Sequence, residues 1–339
     1  REISSAVVNS RSPHIPEAVD LLNQGKTLIA LHRYDEAINS LEKAAQIEPK
    51  YSLAWLERGK AYEGLQKYED ALKSYEQAIT LNSDYSEAWY RRGVVLEKLK
   101  RNEEALISLD KALEIQPNHP NLWYRKGIFL IKLNRYQEAV NCLNKALEVQ
   151  PDYAEVFYNK AVLLNKLKQH KEALSNLEKA LQAKPYYLEA WIERGCTLGK
   201  LGQAKEAIAS LDKALEINPN SAEAWGERGE VFIEQKRYDE ALASLEKAVQ
   251  IKADYPEVWY NQGIVLEQMQ KYKEAIQSFD KATQIKPDYS KAWYRQGVIL
   301  EKLKKNEEAI YAYNKAVEIW PANRQAIENR KGLLNKLKT

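Results

Sequence analysis

"AWYRRGVVLEKLKRNEEA", residues 88–105, returns as "AWYRQGVILEKLKKNEEA" at residues 292–309, 204 residues later and with three substitutions. The offset is six times 34, and 34 is the period of most of the chain. Trp55, Trp89, Trp123, Trp191, Trp225, Trp259 and Trp293 fall on it, with Phe157 in the gap. Gly25, Gly59, Gly93, Gly127, Gly195, Gly229, Gly263 and Gly297 do the same, with Ala161 as the small substitute. Two alanine columns run unbroken, from Ala37 to Ala309 and from Ala44 to Ala316. Pro49, Pro117, Pro151, Pro185, Pro219, Pro287 and Pro321 punctuate most unit ends, and Ser83 and Ala253 stand at the other two.

Unit 86–119 shows what one period encodes. Trp89, Gly93, Leu96 and Leu99 make a helical stripe from Glu87 to about Leu99. Ala105, Leu109, Ala112 and Leu113 make a second, from about Asn102 to Ile115. The joint "KLKRN" is short and polar, so the two helices are antiparallel neighbours. Gly93 and Ala105 are small where the backbones approach, and Trp89 is expected to cover the seam. Glu103 and Glu104 favour the dipole at the start of the second helix. Pro117 stops that helix, because proline cannot continue the hydrogen-bond ladder. One such hairpin cannot bury its apolar face alone and must stack on its neighbours.

A 34-residue period with W-x₃-G and an alanine twelve residues on resembles the tetratricopeptide repeat. The resemblance covers residues 18–323 as nine units without insertion, beginning at 18, 52, 86, 120, 154, 188, 222, 256 and 290. It implies an all-α fold, a right-handed α-solenoid of stacked antiparallel hairpins wound into a superhelix. It also implies that the first helices line a concave groove for peptides or partner segments. The first unit has Leu21 in the tryptophan column, with polar Asp20 beside it. Residues 324–339 read as a degenerate capping helix, with Ile327 for the tryptophan and Lys331 for the glycine. Residues 1–17 read as a polar, proline-punctuated leader. With Arg1 in place of Met, that leader suggests a segment of something longer, similar to the recognition arms of bacterial multidomain proteins.

Composition narrows the function. With 339 residues, 45% hydrophobic and 29% charged, the chain has far too much apolar content for disorder. No apolar run approaches the ~18 residues of a membrane span, and no signal-peptide pattern opens the chain. Two cysteines, Cys142 and Cys196, are too few for a disulfide framework, so the expectation is a reducing cytoplasm. Four histidines lie in separate places without metal-ligand spacing, and no phosphate loop, zinc-protease or nucleophile-elbow motif occurs. The expectation is therefore a non-catalytic scaffold with no cofactor and no metal. The balance of 51 basic against 48 acidic residues argues against nucleic acid. A basic column, Arg58, Arg92, Lys126, Lys160, Arg194 and Arg228, keeps a nucleic-acid-binding repeat as an alternative. Its packing reading is that the stems cover unit boundaries and the heads bridge acids of the next unit.

The binding residues are sought opposite the packing columns. One step after each tryptophan come Tyr90, Tyr124, Tyr158, Tyr260 and Tyr294, interrupted by Ile192 and Gly226. Phenols combine contact area with a hydrogen-bonding tip. Four residues on, Val94, Ile128 and Val162 supply an apolar floor that becomes charged at Lys26, Lys60 and Glu230. Between these columns lie Arg91, Arg125, Asn159, Asn261 and Arg295. The expected ligand is an extended or helical segment bearing apolar side chains. Arg91 and Arg125 either take its carboxylate or pair with Glu87 or Glu97. Chaperone-binding members of the family suggest a narrower alternative, a clamp for an acidic C-terminus. Asn261, Lys291 and Arg295 match its later three positions, but Gly226 and Glu230 replace the lysine and asparagine of the preceding unit, and Glu230 repels a carboxylate.

Overall fold

The structure is a computed structural model that describes residues 14–337. The leader inferred for residues 1–17 lies outside the described residues as far as residue 13. The chain divides into two compact units, residues 1–156 and 157–339.

The first unit holds α1 (Pro16–Ala30), α2 (Tyr34–Ile47), α3 (Ser52–Gly64), α4 (Tyr68–Leu81), α5 (Ser86–Lys98), α6 (Asn102–Ile115), α7 (Pro120–Lys132) and α8 (Tyr136–Val149). Helix α9 (Ala154–Lys166) carries the boundary between the two. The second unit continues with α10 (His170–Ala183), α11 (Leu188–Lys200), α12 (Ala204–Ile217), α13 (Ala222–Glu234), α14 (Tyr238–Ile251), α15 (Pro256–Gln268), α16 (Tyr272–Ile285), α17 (Ser290–Lys302), α18 (Asn306–Ile319) and α19 (Arg324–Lys336). Every described element is a helix, and the fold is an all-α repeat solenoid.

Each first helix ends the same way. The residue after its C-cap sits in the left-handed region, as at His32, Gln66, Lys100 and Asn134, with φ of 57–59°. The following two amides turn back to the last turn, as when Lys100 N–H donates to Glu97 O and Arg101 N–H to Leu96 O. That closure satisfies carbonyls the helix would otherwise leave open and reverses the chain in three residues. Only Gly202, φ 74°, uses the residue type without a Cβ penalty there.

Inside a hairpin the seam is a bare backbone facing a bulky side chain sixteen residues on. A Cβ at Gly59 would lie 2.4 Å from the Tyr75 ring, at Gly195 2.6 Å from Leu211, and at Gly263 2.7 Å from Phe279. Tyr75, Leu211 and Phe279 are fully buried, as are both alanine columns. The tryptophans differ from the sequence expectation, being half-buried and not the centre of that seam. Their indole N–H groups donate to a carbonyl six residues earlier, in the turn that joins two hairpins: Trp89 to Ser83 O at 2.9 Å, Trp123 to Pro117 O at 2.7 Å. The ring thus ties a first helix to the end of the hairpin before it. Successive first helices also touch, α1 with α3, α11 with α13, α13 with α15 and α17 with α19. No two successive second helices do so to that extent among the described residues. Where these contacts occur, the first helices form the more closely packed row of the stack.

Three stability outcomes follow, two from this seam and one from the turn. Gly59→Ala forces a methyl into the Tyr75 ring and should cost about 1–2 kcal/mol, overpacking exceeding the gain in helix propensity. At Gly93 the nearest atom is 3.2 Å away, so Gly93→Ala should change stability by less than about 0.5 kcal/mol. Gly202→Ala should lose about 1 kcal/mol at its positive φ. Urea melts of the three variants check the order.

Candidate functional site

The residues on the first-helix face fall into two sets, one in each unit. In the first, Tyr90, Val94, Tyr124 and Ile128 are half-buried. Tyr124 packs on Tyr153 with ring centroids 5.4 Å apart. In the second, Tyr158 packs on Tyr187 at 5.1 Å and Tyr260 on Tyr289 at 5.1 Å. Tyr294 lies 6.1 Å from Tyr313, Val162 is exposed, and Asn159 and Asn261 are half-buried. Burial, with Glu193 nearby, pushes the Tyr158 phenol up to about 12. Each partner ring at Tyr153, Tyr187 and Tyr289 stands just before a first helix.

This second aromatic column was missed by the sequence reading. It includes Tyr51, Tyr85 and Tyr255 and keeps the 34-residue period, so the signal was present. At Gly226 the row that begins with Tyr90 lacks a ring, and a Cβ there would sit 3.1 Å from Val258 and 3.9 Å from Tyr255.

The arginines of this face are not equivalent. Arg91 reaches Glu63 at 3.5 Å and Glu87 at 3.8 Å, so one of its two expected partners is replaced by an acid of the preceding first helix. Burial opposes the charge of Arg91, but Glu63 and its neighbours outweigh that and hold the guanidinium above its ordinary range. Arg295 repeats the pattern with Glu267 at 3.6 Å, and Lys302 approaches the same buried carboxylate at 3.5 Å. The acid that would serve Arg125 in this way is Glu97, and Lys132 holds it at 2.6 Å. Arg125 is exposed and has no ion pair among the described residues. For the carboxylate clamp this geometry is unfavourable, because Arg295 is already neutralised; Lys291 is exposed.

The face of the second unit turns acidic around α13. Glu223, Glu227 and Glu230 lie there, and Glu193 accepts from Asn165 Nδ2 at 2.6 Å on the neighbouring helix. Cys196 Sγ donates to Glu227 Oε2 at 3.1 Å. Burial raises the Glu227 carboxyl above its ordinary range, against the lowering effect of that hydrogen bond. It also pushes the thiols of Cys142 and Cys196 up, so neither is an activated nucleophile.

Five of the six cations of the basic column are used within the fold, and Lys160 has no ion pair among the described residues. Arg92 donates to Glu76 Oε1 at 3.0 Å, sixteen residues earlier, and to Ser108 Oγ at 2.7 Å, sixteen residues later. Arg228 does the same with Asp212 at 2.8 Å and Ser244 at 3.0 Å. Arg58 pairs with Glu42 at 3.0 Å, and Lys126 pairs with Asp110. The heads therefore bridge to the preceding repeat, where the sequence suggested the next one. A column neutralised at five of its six positions offers little to a phosphate backbone. Among the described residues no three His, Cys, Asp or Glu side chains gather as a metal would require, and no helix is long and apolar enough to cross a membrane.

The comparisons with known proteins follow the same repeat. Tetratricopeptide repeat profiles match residues 56–120, 192–256 and 260–324, and another matches 120–185. A TPR repeat profile matches 25–66. No curated protein matches the sequence. Among solved structures, the APC/C hetero-tetramer Cut9–Hcn1 aligns over 94% of this chain and 84% of its own, at 14% identity and a TM-score of 0.57. Pseudomonas aeruginosa pilF aligns over 63% of this chain and 97% of its own, at 19% identity and 0.55. A tetratricopeptide repeat protein from Parabacteroides merdae aligns over 74% and 100%, at 19% and 0.53. At these identities the likeness concerns the fold.

The buried Glu227 gives a pH outcome. Its folded-state pKa is raised, so the native state holds a proton that the unfolded chain releases above the ordinary carboxylate range. Its contribution favours folding at low pH and is lost as pH rises through that window. Glu227→Gln should therefore raise the melting temperature at about pH 7 and lose this advantage towards about pH 4. A pH series of thermal melts reads it, and an unchanged difference at both ends would contradict the assignment.

Proposed function

The chain belongs to the tetratricopeptide-repeat family, whose members generally serve as non-catalytic scaffolds that bind protein or peptide partners, and from that premise we propose that its first-helix face receives a partner segment. In the first unit the segment lies across Tyr90, Val94, Tyr124 and Ile128, with Arg125 taking a carboxylate from it. The observation that carries this reading is the contrast between Arg125 and its counterparts. Arg91 and Arg295 are spent on Glu63 and Glu267, whereas Arg125 is exposed beside two half-buried apolar positions and has no ion pair among the described residues. A cation held next to apolar surface, with its own acid taken by Lys132, is placed to pair with an acid from outside. The ligand class is an extended or helical peptide with apolar side chains and at least one acidic group.

In the second unit, the face around Tyr158, Asn159 and Val162, and again around Tyr260, Asn261, Tyr294 and Arg295, is a second candidate surface, interrupted by Gly226 and Glu230. A recognition role within a larger assembly fits such a scaffold, with the partner segment as the recognised element. Cytoplasmic localisation belongs to the same proposal and rests on the two free cysteines.

Peptides selected from a display library against the intact chain provide the test. The selected sequences should combine apolar and acidic residues. Arg125→Glu, a surface change that leaves the melting curve alone, should weaken them at least about tenfold. Tyr124→Ala should weaken them as well. Selected peptides that bind both variants as tightly as the parent would sink the assignment of this face.

A further inference from the structure

Three residues after its tryptophan, a first helix places an arginine that fills a gap between helices. Around Arg92 that gap is lined by Glu76, Ser108, Glu104 at 3.9 Å and the Trp89 ring, whose centroid lies 5.9 Å from the guanidinium carbon. In α15 the residue at this place is Gln262. The rest of the lining is retained: Glu246 sixteen residues before, Ser278 sixteen after, Glu274 twelve after and Trp259 three before. These residues border a cleft of about 510 Å³. Lys271 and Lys281 border it too, at the places that Arg101 and Lys111 hold around Arg92.

Two groups in this cleft lack what Arg92 supplies to its own. Gln262 is only 8% exposed, and its Oε1 is buried without a donor. Glu246 has no ion pair among the described residues. Ser278 Oγ donates to Glu274 O at 3.2 Å, which leaves its lone pairs free to accept. Ser108 donates to Glu104 O in the same way while it accepts from Arg92.

We propose that this cleft binds the guanidinium of an arginine side chain presented by a partner protein. A planar fork of five donors can serve Glu246, Ser278 and Gln262 together while lying against the Trp259 ring. An ammonium is a compact point charge and cannot match that spread of acceptors. Where the serine sixteen residues on is kept, the group that fills the equivalent gap is itself an arginine side chain on its stem, seen at Arg92, Arg194 and Arg228; the lysines of the column, Lys126 and Lys160, have Cys142 and Asn176 at that spacing. The neighbouring repeat shows why one cleft is singled out. Gln296 borders a cleft of about 440 Å³ and its Oε1 is likewise buried without a donor, but its Nε2 already meets the acid, Asp280, at 2.5 Å, and Ala312 stands where the serine would be. The Gln262 cleft is built from α14, α15 and α16 and does not depend on the reading of the first-helix face.

The indole N–H of Trp259, which donates to Ala253 O at 2.7 Å, is the reporter. Its NMR resonance in the intact chain, assigned with Trp259→Phe, should shift saturably with an arginine-containing blocked peptide. Half-saturation is expected at about 1–10 mM, the range of one charge-assisted contact. The same peptide with lysine should shift it at least about tenfold more weakly. Gln262→Arg should abolish the shift, because the chain then fills its own gap, and should raise the melting temperature. Glu246→Gln, at an exposed residue, should weaken binding at least about tenfold. No saturable shift with the arginine peptide would overturn the proposal. So would equal response to lysine, or undiminished binding in either variant. Free arginine methyl ester binding as tightly as the peptide would overturn the assignment to a protein partner.

Discussion

The whole architecture depends on a missing side chain. At the eighth position of nearly every first helix the backbone is bare, and the residue sixteen places on lies directly against it. The clearance there is smaller than a methyl group in most hairpins, with 2.4–2.9 Å between a notional Cβ and the ring carbons at Gly59 and Gly263. The second helix can sit that close because alanines, fully buried, hold its inner line at Ala71, Ala78, Ala275 and Ala282. Close approach multiplies dispersion contacts, and in a repeat array this term recurs with each hairpin. Where the filling residue is a tyrosine it gains a polar tether as well. Tyr75 and Tyr313 donate to Glu63 and Glu301 at 2.7 and 2.8 Å, in the last turns of their own first helices.

A second interaction, also written at a spacing of sixteen, links one hairpin to the one before. A cation on a first helix reaches back to an acid of the preceding second helix and forward to a serine of its own. The serine is buried while the acid is about half exposed, so the bridge serves register more than energy. The stems contribute too, because each guanidinium lies over the tryptophan three residues earlier, 5.9 Å from Trp191 and 5.5 Å from Trp225. This explains how a tryptophan can remain half-buried and still be required: one face packs, one edge donates to a carbonyl, and the other face carries an arginine.

Much of this was legible in the sequence, because whatever stacks must recur. The hairpins, their joints and the glycine–alanine approach are periodic and follow from helical spacing. What failed was direction and competition. A basic column announces that charges bridge repeats, but the geometry of stems leaning towards the N-terminal side decides which repeat they reach. The exposure of Arg125 could not be read either, since it depends on whether Glu97 goes to an arginine 28 residues on or to Lys132, 35 residues on. The tyrosines at Tyr51, Tyr153 and Tyr289 were periodic yet overlooked, because they precede the helices and so stand outside any helical stripe.

Departures from the columns divide into two kinds, and the division is physical. At position 296 the loss of an arginine is made good within the chain, because Gln296 donates to the carboxylate the arginine would have met. Ala161 replaces a glycine and is itself fully buried, which a small side chain allows. Gln262 is of the other kind. A buried amide oxygen without a donor is common to both glutamines, but only at Gln262 is the acid, Glu246, also left without a partner among the described residues. A buried acceptor left unsatisfied costs about 1–3 kcal/mol, which other residues at the same place would avoid. A compensated change leaves the repeat as it was. An uncompensated one leaves a vacancy shaped by the side chain that fills it elsewhere, so the repeat itself describes the chemistry able to complete it.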